Sequence, residues 1–241
     1  MKSLISSRAC SIRQTAKDRA EQKAMYRFLD NENVTESELI DCCLERTRSL
    51  CKDKHLLVLN DTTEINMQSH VGRIQAGSGV GVVGNNKDIG FFAHLGLVVD
   101  VESYQAIGYS SMNLWHRSAD KGSKETRKYQ SLPIEEKESN KWIKCGSDSK
   151  EVLKEASMVT LVGDRESDIY ELFIDAEKDG LHVLARNSIN RRTIEGEKLH
   201  NLLDETAVCG EYKIDVSGDI RKQKKKREAT LQLKFREVWI K

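Results

Sequence analysis

Near the start of the chain apolar residues recur every fourth position. Ala20, Ala24 and Phe28, with Met25 and Leu29 beside them, form one stripe of a 3.6-residue period and predict a helix. Thr35-Glu36-Ser37-Glu38 has the form of a capping box and opens a second helix, with Leu39, Ile40, Cys43 and Leu44 on one face. The pattern then changes. Leu56–Leu59 is a short apolar run ended by Asn60 and Asp61, which predicts a buried strand. His94–Asp100 and Tyr104–Leu114 predict two more strands, close enough in sequence to form an antiparallel hairpin. Residues 117–141 are highly charged, hold the sole proline, Pro133, and keep no period, so they predict a surface excursion.

After that excursion, Ser149–Ala156 predicts a helix and Met158–Val162 a strand. A helix is expected from Asp164 onward, with Ile169, Leu172, Phe173 and Ala176 on one face, stopping at Gly180 before a strand at Leu181–Ala185. Three meandering strands followed by helix, strand, helix and strand give an α/β class, in the order of a ribonuclease H-like mixed sheet. A last alternation, Ala229, Leu231, Leu233 and Phe235, predicts one further strand for which the sequence shows no obvious partner.

At 241 residues the chain suits one large domain or one and a half. Its 39 basic and 38 acidic side chains leave a net charge of +1, which neither demands nor excludes nucleic acid. No apolar stretch approaches the ~20 residues of a membrane helix. Leu4 and Ile5 are too short a run for a signal peptide, so a cytoplasmic location is expected. The six cysteines form no C-x-x-C pair and read as free thiols.

Two acidic residues follow apolar runs: Asp61 after Leu59, and Asp164 after Val162 and Gly163. Strand ends are where sites form in α/β sheets, and paired carboxylates there suit a hard divalent cation. Each residue has a plainer reading as well, Asp61 as an Asx turn and Asp164 as a helix cap. Gly79–Gly84 matches the dinucleotide fingerprint by letter, but no strand precedes it and no helix follows, so a flexible loop is expected. Arg221 to Arg227 carries six basic residues in seven (Arg221, Lys222, Lys224, Lys225, Lys226 and Arg227). This run, with Arg191 and Arg192, is the candidate surface for DNA phosphates or else a solvated loop.

Several segments together resemble a known family. Tyr26-Arg27-Phe28-Leu29-Asp30-Asn31, Asp61-Thr62-Thr63-Glu64, Glu136-Lys137-Glu138-Ser139-Asn140-Lys141-Trp142 and Val162-Gly163-Asp164-Arg165-Glu166-Ser167-Asp168-Ile169-Tyr170 occur in this order. They are similar to segments of the bacterial cut-and-paste DDE transposases of the insertion-sequence-four group, close to the transposon-five type, from about Ala20 to Lys234. The resemblance implies a ribonuclease H-like core in which two aspartates and a glutamate hold magnesium or manganese for attack on a DNA phosphodiester. It implies that Asp61 and Asp164 are those aspartates. It also implies double-stranded transposon ends as partner, with a second copy or a full-length transposase as a possible protein partner.

The sequence departs from the family at one place that matters. The third carboxylate of such enzymes lies in a Tyr-x2-Arg-x3-Glu-x6-Lys motif, and none of the six tyrosines here has an arginine three positions on. The resemblance therefore implies a chain truncated at both ends and inactive alone. Its implied parts are a helical segment over 1–54 that is part of a DNA-end-binding region, an incomplete catalytic core over 55–205 and the start of a β-stranded insertion over 206–241. A non-catalytic DNA-binding or inhibitory role is the alternative. A phosphatase of the haloacid-dehalogenase type would match Gly163-Asp164 and Asp168, but its Asp-x-Asp nucleophile pair is absent, because Thr63 stands where the second aspartate belongs.

Overall fold

The computed structural model describes residues 11–75, 77–118, 131–219, 221 and 223–241. The chain divides into two compact units at Arg186/Asn187.

The first unit opens with three helices, α1 (Ile12–Thr15), α2 (Arg19–Leu29) and α3 (Glu36–Arg48). Local chemistry sets where they start. Asp18 caps α2 by accepting from the Glu21 N–H, and the capping box of α3 forms in both directions between Thr35 and Glu38. Strands β1 (His55–Asn66), β2 (Gly81–Val82), β3 (Ile89–Asp100) and β4 (Ala106–Trp115) come next. Helix α4 (Asn140–Val152), β5 (Met158–Gly163), α5 (Tyr170–Lys178) and β6 (His182–Ala185) complete the unit. Helix α5 ends as its glycine requires. Gly180 takes φ +70°, the Gly180 N–H bonds the Glu177 carbonyl, and the Leu181 N–H reaches back to the Ala176 carbonyl.

The sheet order is β4–β3–β1–β5–β6, with β2 added alongside β3. β1 pairs antiparallel with β3, and β3 with β4, while β1–β5 and β5–β6 are parallel. This is the expected mixed α/β sheet with helical crossovers, consistent with a ribonuclease H-like fold. One face carries the core: Leu56 and Val58 of β1, Val98 of β3 and Val159 and Leu161 of β5 pack with Trp142 and Cys145 of α4 and Leu172 of α5. Gly96 of β3 lets the helix come close, because a Cβ there would meet Cys145 Sγ at 2.9 Å and Ser110 Oγ at 3.0 Å. The alternate residues of the strands face the other way and stay partly open to solvent, Leu59 at 38% and Leu184 at 63%.

Four expectations need correction. β1 does not end at Asp61 but continues to Asn66, because β3 supplies pairing partners along its whole length. Helix α4 starts at Asn140, inside the segment read as an excursion; Trp142, Cys145, Gly146, Ser149 and Val152 form its buried face. After Asp164 comes a single 3₁₀ turn, Arg165–Ser167, and α5 begins only at Tyr170. The glycine segment read as a flexible loop contains β2, whose Gly81 and Val82 pair with Gly90 and Ile89.

The second unit contains α6 (Leu199–Glu205) and a two-stranded antiparallel ribbon, β7 (Gly210–Val216) with β8 (Arg227–Leu233). The last predicted strand therefore does have a partner, β7. Tyr212, Ile214, Ala229 and Leu231 share one face of the ribbon by register, and Lys213 pairs with Glu228 from the other. Among the described residues no helix is long and apolar enough to cross a membrane.

Candidate functional site

The printed register of the parallel β1–β5 pair runs as far as Leu59 opposite Val162. Asp61 and Asp164 each lie two residues further along, and Asp164 keeps an extended backbone. Two steps along a strand return a side chain to the same face, so each aspartate follows its register residue in the same sense, Asp61 after Leu59 and Asp164 after Val162. Both are exposed. The Thr62 N–H donates to Asp61 Oδ1 at 2.7 Å, and the Glu166 N–H donates to Asp164 Oδ1 at 2.8 Å. Each local bond holds one carboxylate oxygen and leaves the other oxygen for a further partner. Among the described residues no ion pair engages either carboxylate, and no cluster of three or more histidine, cysteine or acidic side chains forms a metal cage.

Two carboxylates are a workable donor set for magnesium, which keeps several waters and takes one or two protein carboxylates together with substrate phosphates. The plainer reading of Asp164 also holds, since it caps the 3₁₀ turn. The two roles are compatible, because the cap uses only one oxygen.

Beside this pair lies a ladder of cations and rings. Arg117 grips Glu138 with Nε and a terminal nitrogen, at 2.7 and 2.6 Å, and its guanidinium lies over Phe92, which stacks on Trp115. The Lys141 ammonium sits over both Trp115 and Trp142 and pairs with Glu166 at 3.3 Å. Below, Trp142 meets the buried ring of His94 edge-on. Burial, helped by the nearby Lys141 charge, pushes the His94 imidazole down to about 4.

The basic candidates fall in the second unit. Arg221, Lys224, Lys225 and Lys226 sit at the tip of the β7–β8 ribbon and Arg227 begins β8, while Lys222 lies outside the described residues. Lys226 is paired with Asp215 at 3.1 Å. Arg192 is exposed and donates to the Gly196 carbonyl, whereas Arg191 is half-buried.

A second basic surface lies on α2, within the helical segment expected to take part in holding DNA ends, although the sequence reading named none of its residues. Arg19, Lys23 and Arg27 recur at four-residue spacing, are exposed, and share a face with Tyr26. The opposite face, with Ala24, Met25, Phe28 and Leu29, borders an apolar cleft of about 420 Å³ together with Ile12 and Leu39. Helix α2 thus separates positive charge from apolar surface. The spacing was visible in the sequence, but the longer contiguous run at 221–227 masked it.

No curated protein matches the chain. A family model described as transposase DNA-binding matches residues 1–34, a span that includes α1 and α2. The match supports a transposase, with DNA as its partner.

Proposed function

We propose that this chain belongs to the cut-and-paste DDE transposase type, close to the insertion-sequence-four group, and that by itself it binds duplex DNA without cutting it. The observation that carries the reading is the transposase DNA-binding match over residues 1–34, on a helix whose exposed face bears Arg19, Lys23 and Arg27. Positive charges spaced one helical turn apart suit a row of phosphates, and each contact releases counterions.

Asp61 and Asp164 are the proposed ligands of a divalent cation. Magnesium or manganese bound there would polarise a phosphodiester and supply a water of lowered pKa. The chain's own part is to hold two carboxylate oxygens at fixed positions, through the Thr62 and Glu166 N–H groups. The proposed inactivity follows from the missing third carboxylate, which would fix a second ion opposite the first.

Anisotropy of a labelled duplex, titrated with salt, tests the DNA reading. The triple variant Arg19→Gln, Lys23→Gln, Arg27→Gln is expected to flatten the slope of log affinity against log salt by up to about three units, at roughly 0.9 per contact. An unchanged slope would remove α2 as the contact surface.

A further inference from the structure

We infer that Lys141 is a phosphodiester-binding residue beside the Asp61–Asp164 pair, and that Glu166 occupies it as an internal stand-in for the phosphate. The inference rests on the DNA-binding reading above and adds a second contact region to it.

Two exposed carboxylates side by side repel a DNA strand, so a strand crossing them needs fixed positive charge on the same rim. Lys141 supplies it. Its ammonium lies 5.9 Å from the Trp115 ring centre and 5.6 Å from that of Trp142, within cation–π range of both. The side chain is only 12% exposed, whereas a surface lysine normally swings freely. A cation already held in place loses little rotamer freedom when an anion arrives.

Its present partner is weakly held. Glu166 is 70% exposed and reaches Lys141 at 3.3 Å, and an exposed ion pair is worth little. Glu166 is also two residues beyond Asp164, whose carboxylate accepts its backbone N–H, so the ion pair sits at the edge of the proposed cation site. Space for a ligand exists beside it, since Asn113, Trp115, Lys141 and Lys144 line an open concavity of about 230 Å³. Glu135 and Glu136 also border this concavity and lower the affinity an anion reaches there. Glu138 is already engaged by Arg117. A backbone phosphate entering would take over the Lys141 ammonium and release Glu166 to solvent.

The test uses the full chain and a labelled duplex of arbitrary sequence, titrated with salt. Glu166→Gln removes the competitor at an exposed position and is expected to tighten binding about two- to fivefold, the change that release of an exposed pair supplies. Lys141→Met keeps the apolar stem between the two indoles. It is expected to weaken binding and flatten the salt slope by about 0.9, the value of one contact. In the double variant the Glu166→Gln gain should vanish. A gain that persists without Lys141 would mark a general charge effect and overturn the inference. So would unchanged affinity in Glu166→Gln, a variant that removes no buried contact. If the parent chain binds no duplex even at low salt, the DNA reading fails and this one with it; binding that is indifferent to both substitutions defeats this one alone.

Discussion

His94 Nδ1 lies 2.9 Å from Thr62 Oγ1 across the β1–β3 pair, and the ring's other nitrogen, Nε2, is buried with no hydrogen-bond partner among the described residues. The ring is fully buried, so it has no water to accept a second proton's charge.

This arrangement makes the fold acid-sensitive. The folded imidazole titrates at about 4 against an ordinary 6.5, so below pH 6.5 the unfolded chain binds a proton that the folded chain refuses. Stability is therefore complete above pH 6.5, falls as pH drops, and levels off below about 4. By pH 5 the loss should be about 2 kcal/mol from this group. Urea midpoints at pH 7.5 and pH 5 measure it, and His94→Gln should reduce the difference between them. An equal difference in that variant would assign the acid sensitivity to carboxylates elsewhere.

The aspartate pair makes a prediction about ions. Manganese should bind the chain weakly, and both Asp61→Asn and Asp164→Asn should abolish that binding while leaving the thermal midpoint nearly unchanged. Electron paramagnetic resonance of free manganese reads the binding directly. No strand cleavage is expected with magnesium or manganese. Cleavage that Asp164→Asn removes would show that another acid completes the site.

The ribbon tip is expected to make a weaker nucleic-acid surface than its charge count implies. Because Lys226 is paired with Asp215, replacing Lys224, Lys225 and Lys226 with glutamine should flatten the salt slope by about 1.8 units rather than the ~2.7 of three free contacts. A loss of the full three-contact value would show that DNA displaces Asp215.

Close packing at Gly96 should tolerate no side chain. Gly96→Ala places a methyl group against Cys145 Sγ, Ser110 Oγ and Val58 Cγ1, all within 3.0 Å. Overpacking of this kind costs about 1–3 kcal/mol. A denaturant titration with unchanged midpoint would mean that α4 can lift from the sheet at no cost.

What the sequence disclosed depended on whether the signal was local. Helix α2 was legible from the apolar stripe of Ala20, Ala24 and Phe28, and α3 because Thr35 and Glu38 fix its start within a turn. The central order of strands followed from apolar runs at β1, β3 and β5. By contrast, Thr62 to Asn66 reads as polar loop, and only the long partner β3 makes it strand. The start of helix α4 was hidden because Gly146 and Ser149 interrupt the apolar period of its buried face; at Gly146 an added Cβ would come within 3.2 Å of Leu161. Strand β7 alternates Tyr212, Ile214 and Val216, but charged neighbours obscured it. At the candidate site, Asp61 and Asp164 were found by their place after apolar runs. Their placement on neighbouring strands depends on the β1–β5 register, a long-range property that no local pattern records. The α2 face and the Lys141 cluster needed helix phase and three-dimensional packing respectively.

The central strand β1 also sets an order of assembly. On one side it pairs with β3, which in turn pairs with β4, and these antiparallel partners follow one another along the chain, with 22 residues between β1 and β3 and five between β3 and β4. On the other side it pairs with β5, which must return through α4 from a distant part of the sequence. Loop closure makes such distant contacts slow to form, so the meander is expected to fold first and the crossover half to dock onto it. Asp61 belongs to the early half and Asp164 to the late one. The two carboxylates are therefore brought onto neighbouring strands only when the last large piece of the sheet closes, and the proposed cation site would be absent from a partly folded chain.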